Sequence, residues 1–90
     1  MKEIKMFMFD GCPHCKRADE MIAELLAKHP EYKEIPFTKI DEHKNPEIAD
    51  KYDYYYVPTF FVGDEKTAEG VPAEESIQKT FEKAYDEETE

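Results

Sequence analysis

The sequence predicts a single α/β domain whose elements run β-α-β-α-β-β-α along its 90 residues. Three observations predict it. An apolar run near the start leads directly into a long amphipathic helical pattern and then a second strand-like run, an order that makes the two strands parallel through a right-handed crossover. Two later β-type runs separated by Gly63-Asp64-Glu65 form an antiparallel hairpin. A second amphipathic helical pattern follows the hairpin.

Each element has a local reason. Ile4 to Phe9 is apolar apart from Lys5, as in a central strand covered on both faces, and Asp10-Gly11 turns the chain. From Pro13 onward, Cys15, Ala18, Met21, Ile22, Leu25 and Leu26 recur at spacings of three and four, while Lys16, Arg17, Asp19, Glu20 and Glu24 take the other side. Pro13 suits the first turn, where a missing N–H costs nothing, and His29-Pro30 ends the helix. Ile35 to Asp41 reads as a second strand, placed at an edge by Pro36, which cannot donate to a ladder. Asn45-Pro46-Glu47 supplies a cap, a first-turn proline and a first-turn acid for a short helix that fades by Tyr52. Val57 to Val62 is the third strand, with its proline at the start, and a brief fourth strand spans Lys66 to Glu69. After Gly70, the residues Ala73, Ile77, Phe81, Ala84 and Tyr85 share one helical face, and the acidic stretch from Asp86 to Glu90 is expected to fray.

Composition narrows the function. Twenty-two acidic and twelve basic side chains leave a formal charge of −10, which repels phosphate backbones and anionic lipid, so neither nucleic acid nor a membrane is an expected partner. The apolar patch within residues 1–10 is too short and too charged for a signal sequence, which predicts a cytoplasmic protein. Two cysteines are too few to staple a secreted miniprotein, and their spacing, Cys12 and Cys15, points to redox or metal chemistry.

Cys12-Pro13-His14-Cys15 stands where a buried strand becomes a helix, the context in which such a pair is redox-active. Cys12 falls at the helix N-terminus, where unpaired N–H groups and the macrodipole favour thiolate over thiol; it is the expected nucleophile. Cys15 shares the stripe of Ala18 and Ile22 and faces inward, as a resolving thiol would. Such a pair attacks a substrate disulfide through Cys12, and Cys15 then releases the product from the mixed disulfide; no cofactor beyond the Cys12–Cys15 disulfide is required. His14 either offers Cys12 a donor or partial positive charge or is an ordinary surface histidine. The rival from another class is a metal or iron–sulfur carrier, in which the cysteines of two chains meet at one ion. A single chain has no further cysteine to complete a metal site.

Over nearly its whole length the chain resembles thioredoxins and glutaredoxins, and the cysteine motif together with Val57-Pro58-Thr59 carries the resemblance. The resemblance implies the thioredoxin fold, a four-stranded mixed sheet with three helices on both faces, and an enzyme that exchanges electrons with protein or small-molecule disulfides in cell redox homeostasis. It implies that Pro58 is cis and lies against the redox pair, with the Val57 backbone pairing with an extended substrate. Without the resemblance, Pro58 reads as an ordinary trans proline at a strand start. Gly70 is similar to the family glycine that lets a substrate chain approach, and reads equally well as a turn glycine before a helix. The implied partners are substrate proteins or small disulfides, with a flavin-dependent disulfide reductase or glutathione as electron source, and the protein is expected to be a monomer.

No single subfamily pattern is satisfied. The position of the first strand is similar to glutaredoxins, but His14, Tyr56 and Glu69-Gly70-Val71 replace the tyrosine, threonine and double glycine of a glutathione site. Pro58 to Phe81 is more similar to thioredoxins, although Met6 stands where they keep a buried aspartate. Pro13-His14 resembles the bacterial periplasmic disulfide oxidant, and a potential above the roughly −270 mV of thioredoxins is expected. Tyr52, Tyr54, Tyr55 and Tyr56 crowd the approach to Pro58, as lips of a substrate groove or as packing, with at least two of them expected to pack. Lys16 and Arg17 either tune the site or are solvated, and His29 and His43 read as surface residues.

Overall fold

The apolar run near the start of the chain becomes an inner strand, because side chains on both of its faces need cover. In the computed structural model, which describes residues 1–86, the elements are β1 (Ile4–Met8), α1 (Pro13–Lys28), β2 (Phe37–Asp41), α2 (Pro46–Ala49), β3 (Thr59–Val62), β4 (Glu65–Glu69) and α3 (Glu74–Asp86). The predicted order is kept. A short 3-10 helix over Pro30–Glu34 is added between α1 and β2, and it buries Tyr32.

The strands lie in the order β2-β1-β3-β4. β1 is parallel to β2, from Ile4 opposite Phe37 to Met8 opposite Asp41, and antiparallel to β3, with Phe7 opposite Thr59. β4 pairs antiparallel with β3 and slips register between Phe60 and Phe61. The pleat sends Ile4 and Met6 to one face, into a core with Ile22, Phe60, Ile77 and Phe81 from β3, α1 and α3. Phe7 goes to the other face with Ile40 and Phe61, where Ile48 and Ala49 from α2, together with Tyr52 and Tyr54, cover them. Each such buried side chain contributes about 1.5–3 kcal/mol relative to exposure. Among the described residues no helix is long and apolar enough to cross a membrane.

Several details differ from the sequence reading. Pro36 stands just ahead of β2, where its carbonyl accepts the Ile4 N–H at 2.9 Å, so it starts the edge strand rather than interrupting it. β1 stops at Met8 and β3 begins at Thr59, leaving Phe9 and Val57-Pro58 in connecting loops. Asn45 stands at the N-cap position of α2 as expected, but its side chain makes no capping bond and donates to the Asp41 carbonyl at 3.3 Å instead. In the last helix Ala73 lies outside the helix and exposed, Tyr85 is partly exposed, and Thr80 takes a buried place that the apolar pattern had passed over. Its hydroxyl is satisfied by the Ser76 carbonyl and by Thr67 Oγ1, each at 2.8 Å, so burial leaves no polar group unpaired. Asp86 belongs to α3, and the rest of the expected frayed tail, 87–90, lies outside the described residues.

Candidate active site at the carboxyl ends of the parallel strands

Both parallel strands end on the same side of the sheet, since Met8 lies opposite Asp41. Because β3 runs the other way, with Phe7 opposite Thr59, the loop that enters β3 meets the loop that leaves β1 at this end. Val57-Pro58 and Phe9 to Cys12 therefore come together through the register alone, despite their separation in sequence. Gly70 joins them, its N–H donating to the Pro58 carbonyl at 3.0 Å.

Gly11, at φ +86°, makes the turn that brings Cys12 to the cap of α1; this left-handed conformation suits a residue with no Cβ. Cys12 Sγ accepts the Cys15 N–H at 3.1 Å, filling the N-cap role usually taken by Ser or Asp, and Pro13 occupies the first turn. No acidic residue stands in that turn. A negative charge on Cys12 would thus meet an N–H donor and the positive end of a 16-residue helix. Burial, and then a hydrogen bond to Cys12, push the Cys15 thiol up to about 12, while a backbone hydrogen bond at Phe9 pulls the other way. The pair is thereby asymmetric, although the two residues differ little in overall exposure: Cys12 is 6% exposed and Cys15 3%. Both are free thiols within the main core, on which Phe9 and Val57 also pack.

The Val57–Pro58 peptide is cis, Pro58 is buried and Val57 is half-buried. Among the described residues the Val57 backbone makes no hydrogen bond. Pro13 and His14 are exposed on the first turn of α1, as are Lys16 and Arg17. The four tyrosines divide. Tyr52 and Tyr54 pack on Phe7 with ring centroids 4.9 Å away in each case, whereas Tyr55 and Tyr56 are 84% and 70% exposed. The hydroxyl of Tyr54 donates to Glu42 at 2.7 Å.

Three further polar residues shape this end. Asp41 accepts the N–H groups of His43, Lys44 and Asp10, the last across 31 positions at 3.2 Å. Desolvation pushes its carboxyl up, but these amides outweigh it and hold the group below its usual range. Thr59 Oγ1 donates to the Tyr56 carbonyl, and Glu69 accepts the N–H groups of both Tyr55 and Tyr56. Only an acid at the end of a strand hinted at Asp41; Thr59 stood in the Val57-Pro58-Thr59 motif without a role, and no local pattern pointed to the contacts of Glu69. Among the described residues, no three or more His, Cys, Asp or Glu side chains are grouped to hold a metal ion.

Similar proteins of known sequence and structure point to one family and fold. A thioredoxin of Methanocaldococcus jannaschii is 27% identical over 90% of this chain and 93% of its own length. Mouse glutaredoxin-3 is 33% identical over 60% of the chain, but that match spans only 15% of the mouse protein. Among solved structures, reduced desulfothioredoxin from Desulfovibrio vulgaris Hildenborough superposes with a TM-score of 0.64 at 25% identity, covering 90% of this chain and 79% of that one. A family model described as a thioredoxin domain matches residues 2–82. With a four-stranded mixed sheet, helices on both faces and this match over most of its length, the chain belongs to the thioredoxin family.

Proposed function

We propose that the protein is a disulfide oxidoreductase that works through Cys12 and Cys15. The observation that carries this reading is the asymmetry of the pair: Cys12 Sγ caps α1 and accepts the Cys15 N–H, while the Cys15 thiol holds its proton up to about 12. Cys12 as thiolate attacks one sulfur of a substrate disulfide; a Cys12–substrate disulfide forms and the other substrate sulfur leaves and takes a proton. Cys15 then gives up its proton, attacks Cys12 Sγ and expels the second substrate thiol, leaving a Cys12–Cys15 disulfide. Two electrons pass to the substrate, and the reverse sequence oxidises a dithiol.

Pro13 starts the helix, and His14, exposed on its first turn, serves as a donor or partial positive charge toward Cys12. Val57 presents its unused backbone to an extended substrate, with Pro58 setting the loop, Tyr56 lining its outer side and Gly70 leaving room for the chain. Substrates are proteins or small disulfides, and the pair is recharged by a flavin-dependent disulfide reductase or glutathione. The protein works as a cytoplasmic monomer.

Insulin reduction with dithiothreitol as electron source tests the roles. Cys12→Ser should abolish turnover, whereas Cys15→Ser should accumulate a covalent adduct visible by non-reducing mass analysis. Turnover by Cys12→Ser would reverse the assignment, and no turnover by the unaltered protein would end it.

A further inference from the structure

One carboxylate outside the redox pair ties down the approach to Val57. Glu69, the last residue of β4, lies opposite Thr59, the first of β3. Its Oε2 accepts the N–H of Tyr55 and, at 3.0 Å, the N–H of Tyr56. Its Oε1 takes Lys66 Nζ at 2.7 Å, and the same ammonium donates to the Asp53 carbonyl at 3.3 Å. With Thr59 Oγ1 on the Tyr56 carbonyl and the Gly70 N–H on the Pro58 carbonyl, the backbone on both sides of Val57 is anchored while Val57 itself is left open. Charge-assisted bonds of this kind are about twice as strong as neutral ones. The Lys66 ammonium and then the two amides hold the Glu69 carboxyl down to about 2. With the amides of Tyr55 and Tyr56 bound to Glu69, their side chains are exposed, and so is Val71, at 74%, which follows Gly70 in the chain. Tyr56 Cβ lies 3.9 Å from the place a side chain on Gly70 would fill.

We propose that Glu69 is a positioning residue for polypeptide substrates: it holds the loop so that the Val57 backbone stays extended and open, with Tyr55, Tyr56 and Val71 as an apolar lip for the substrate chain. A small disulfide needs to reach only Cys12 Sγ, whereas a polypeptide also pairs along the loop. Glu69 therefore sets the preference between the two. This role depends on disulfide exchange at Cys12 as proposed above, so the test compares substrates rather than activity alone.

The measurement is kcat/KM for insulin divided by kcat/KM for 5,5′-dithiobis(2-nitrobenzoate). In Glu69→Ala the ratio should fall about tenfold, equivalent to about 1.4 kcal/mol, and the fall should lie in KM for insulin. Glu69→Gln keeps a carbonyl that accepts the amides, so it should recover about a third of the original ratio. A ratio within twofold of the unaltered protein in Glu69→Ala, or equal losses on both substrates, would overturn the role. Should Glu69→Ala not fold, Glu69→Gln decides by the same ratio, with an unchanged value counting against it. An unaltered protein that turns over neither substrate would instead remove the exchange reaction on which the role depends.

Discussion

Alkylation of the fully reduced protein at pH 7 should label Cys12 and spare Cys15. With its thiol pushed up to about 12, Cys15 is ionised in about one molecule in 10⁵ at that pH. An unperturbed cysteine with a pKa of about 8.5 is roughly 3% thiolate, so ionisation alone slows Cys15 about 3,000-fold. Iodoacetamide followed by intact-mass and peptide analysis reads this as one adduct, mapped to Cys12. Burial alone would also slow Cys15, and the pH dependence separates the two causes. In Cys12→Ser the contributions of Cys12 to the shift are gone but the desolvation that leads it remains, so the labelling of Cys15 should still be rising above pH 9, whereas an enclosed but ordinary thiol levels off near pH 9. A rate that levels off there, or equal labelling of both cysteines in the unaltered protein, would refute the asymmetry.

Equilibration with glutathione buffers should give a potential above roughly −270 mV, and His14→Ala should lower it by about 20 mV, as expected if one polar group beside the thiolate contributes roughly 1 kcal/mol. Phe81, 2% exposed and stacked near Phe37 at 5.9 Å, closes the α3 side of the core; Phe81→Ala should cost about 3–5 kcal/mol in urea unfolding. Glu69 has its carboxyl depressed in the folded state, so its contribution to stability is complete above the ordinary carboxyl value of about 4.5 and fades as pH falls toward about 2. The stability gap between the unaltered protein and Glu69→Gln, measured by denaturant unfolding, should therefore be open at pH 6 and narrow below pH 3; a gap independent of pH would count against the ion pair.

The order of elements and the placement of the cysteine pair are legible before folding, because both are written in short-range patterns. The stripe of Cys15, Ala18 and Ile22 announces the buried face of α1, and a proline after Cys12 announces where that helix begins. Edge position for β2 was also legible, from one proline. Tertiary structure alone decided which tyrosines pack and which stand in water. Tyr52 and Tyr54 are drawn in by Phe7, whose position opposite Thr59 depends on strand register, while Tyr55 and Tyr56 are turned out by a carboxylate 14 and 13 residues further along the chain. The long-range contacts of Glu69 and Asp41 were hidden for the same reason. A hydrogen-bonded side chain has no periodicity, and its partner is chosen by how the strands align, which only the assembled sheet specifies.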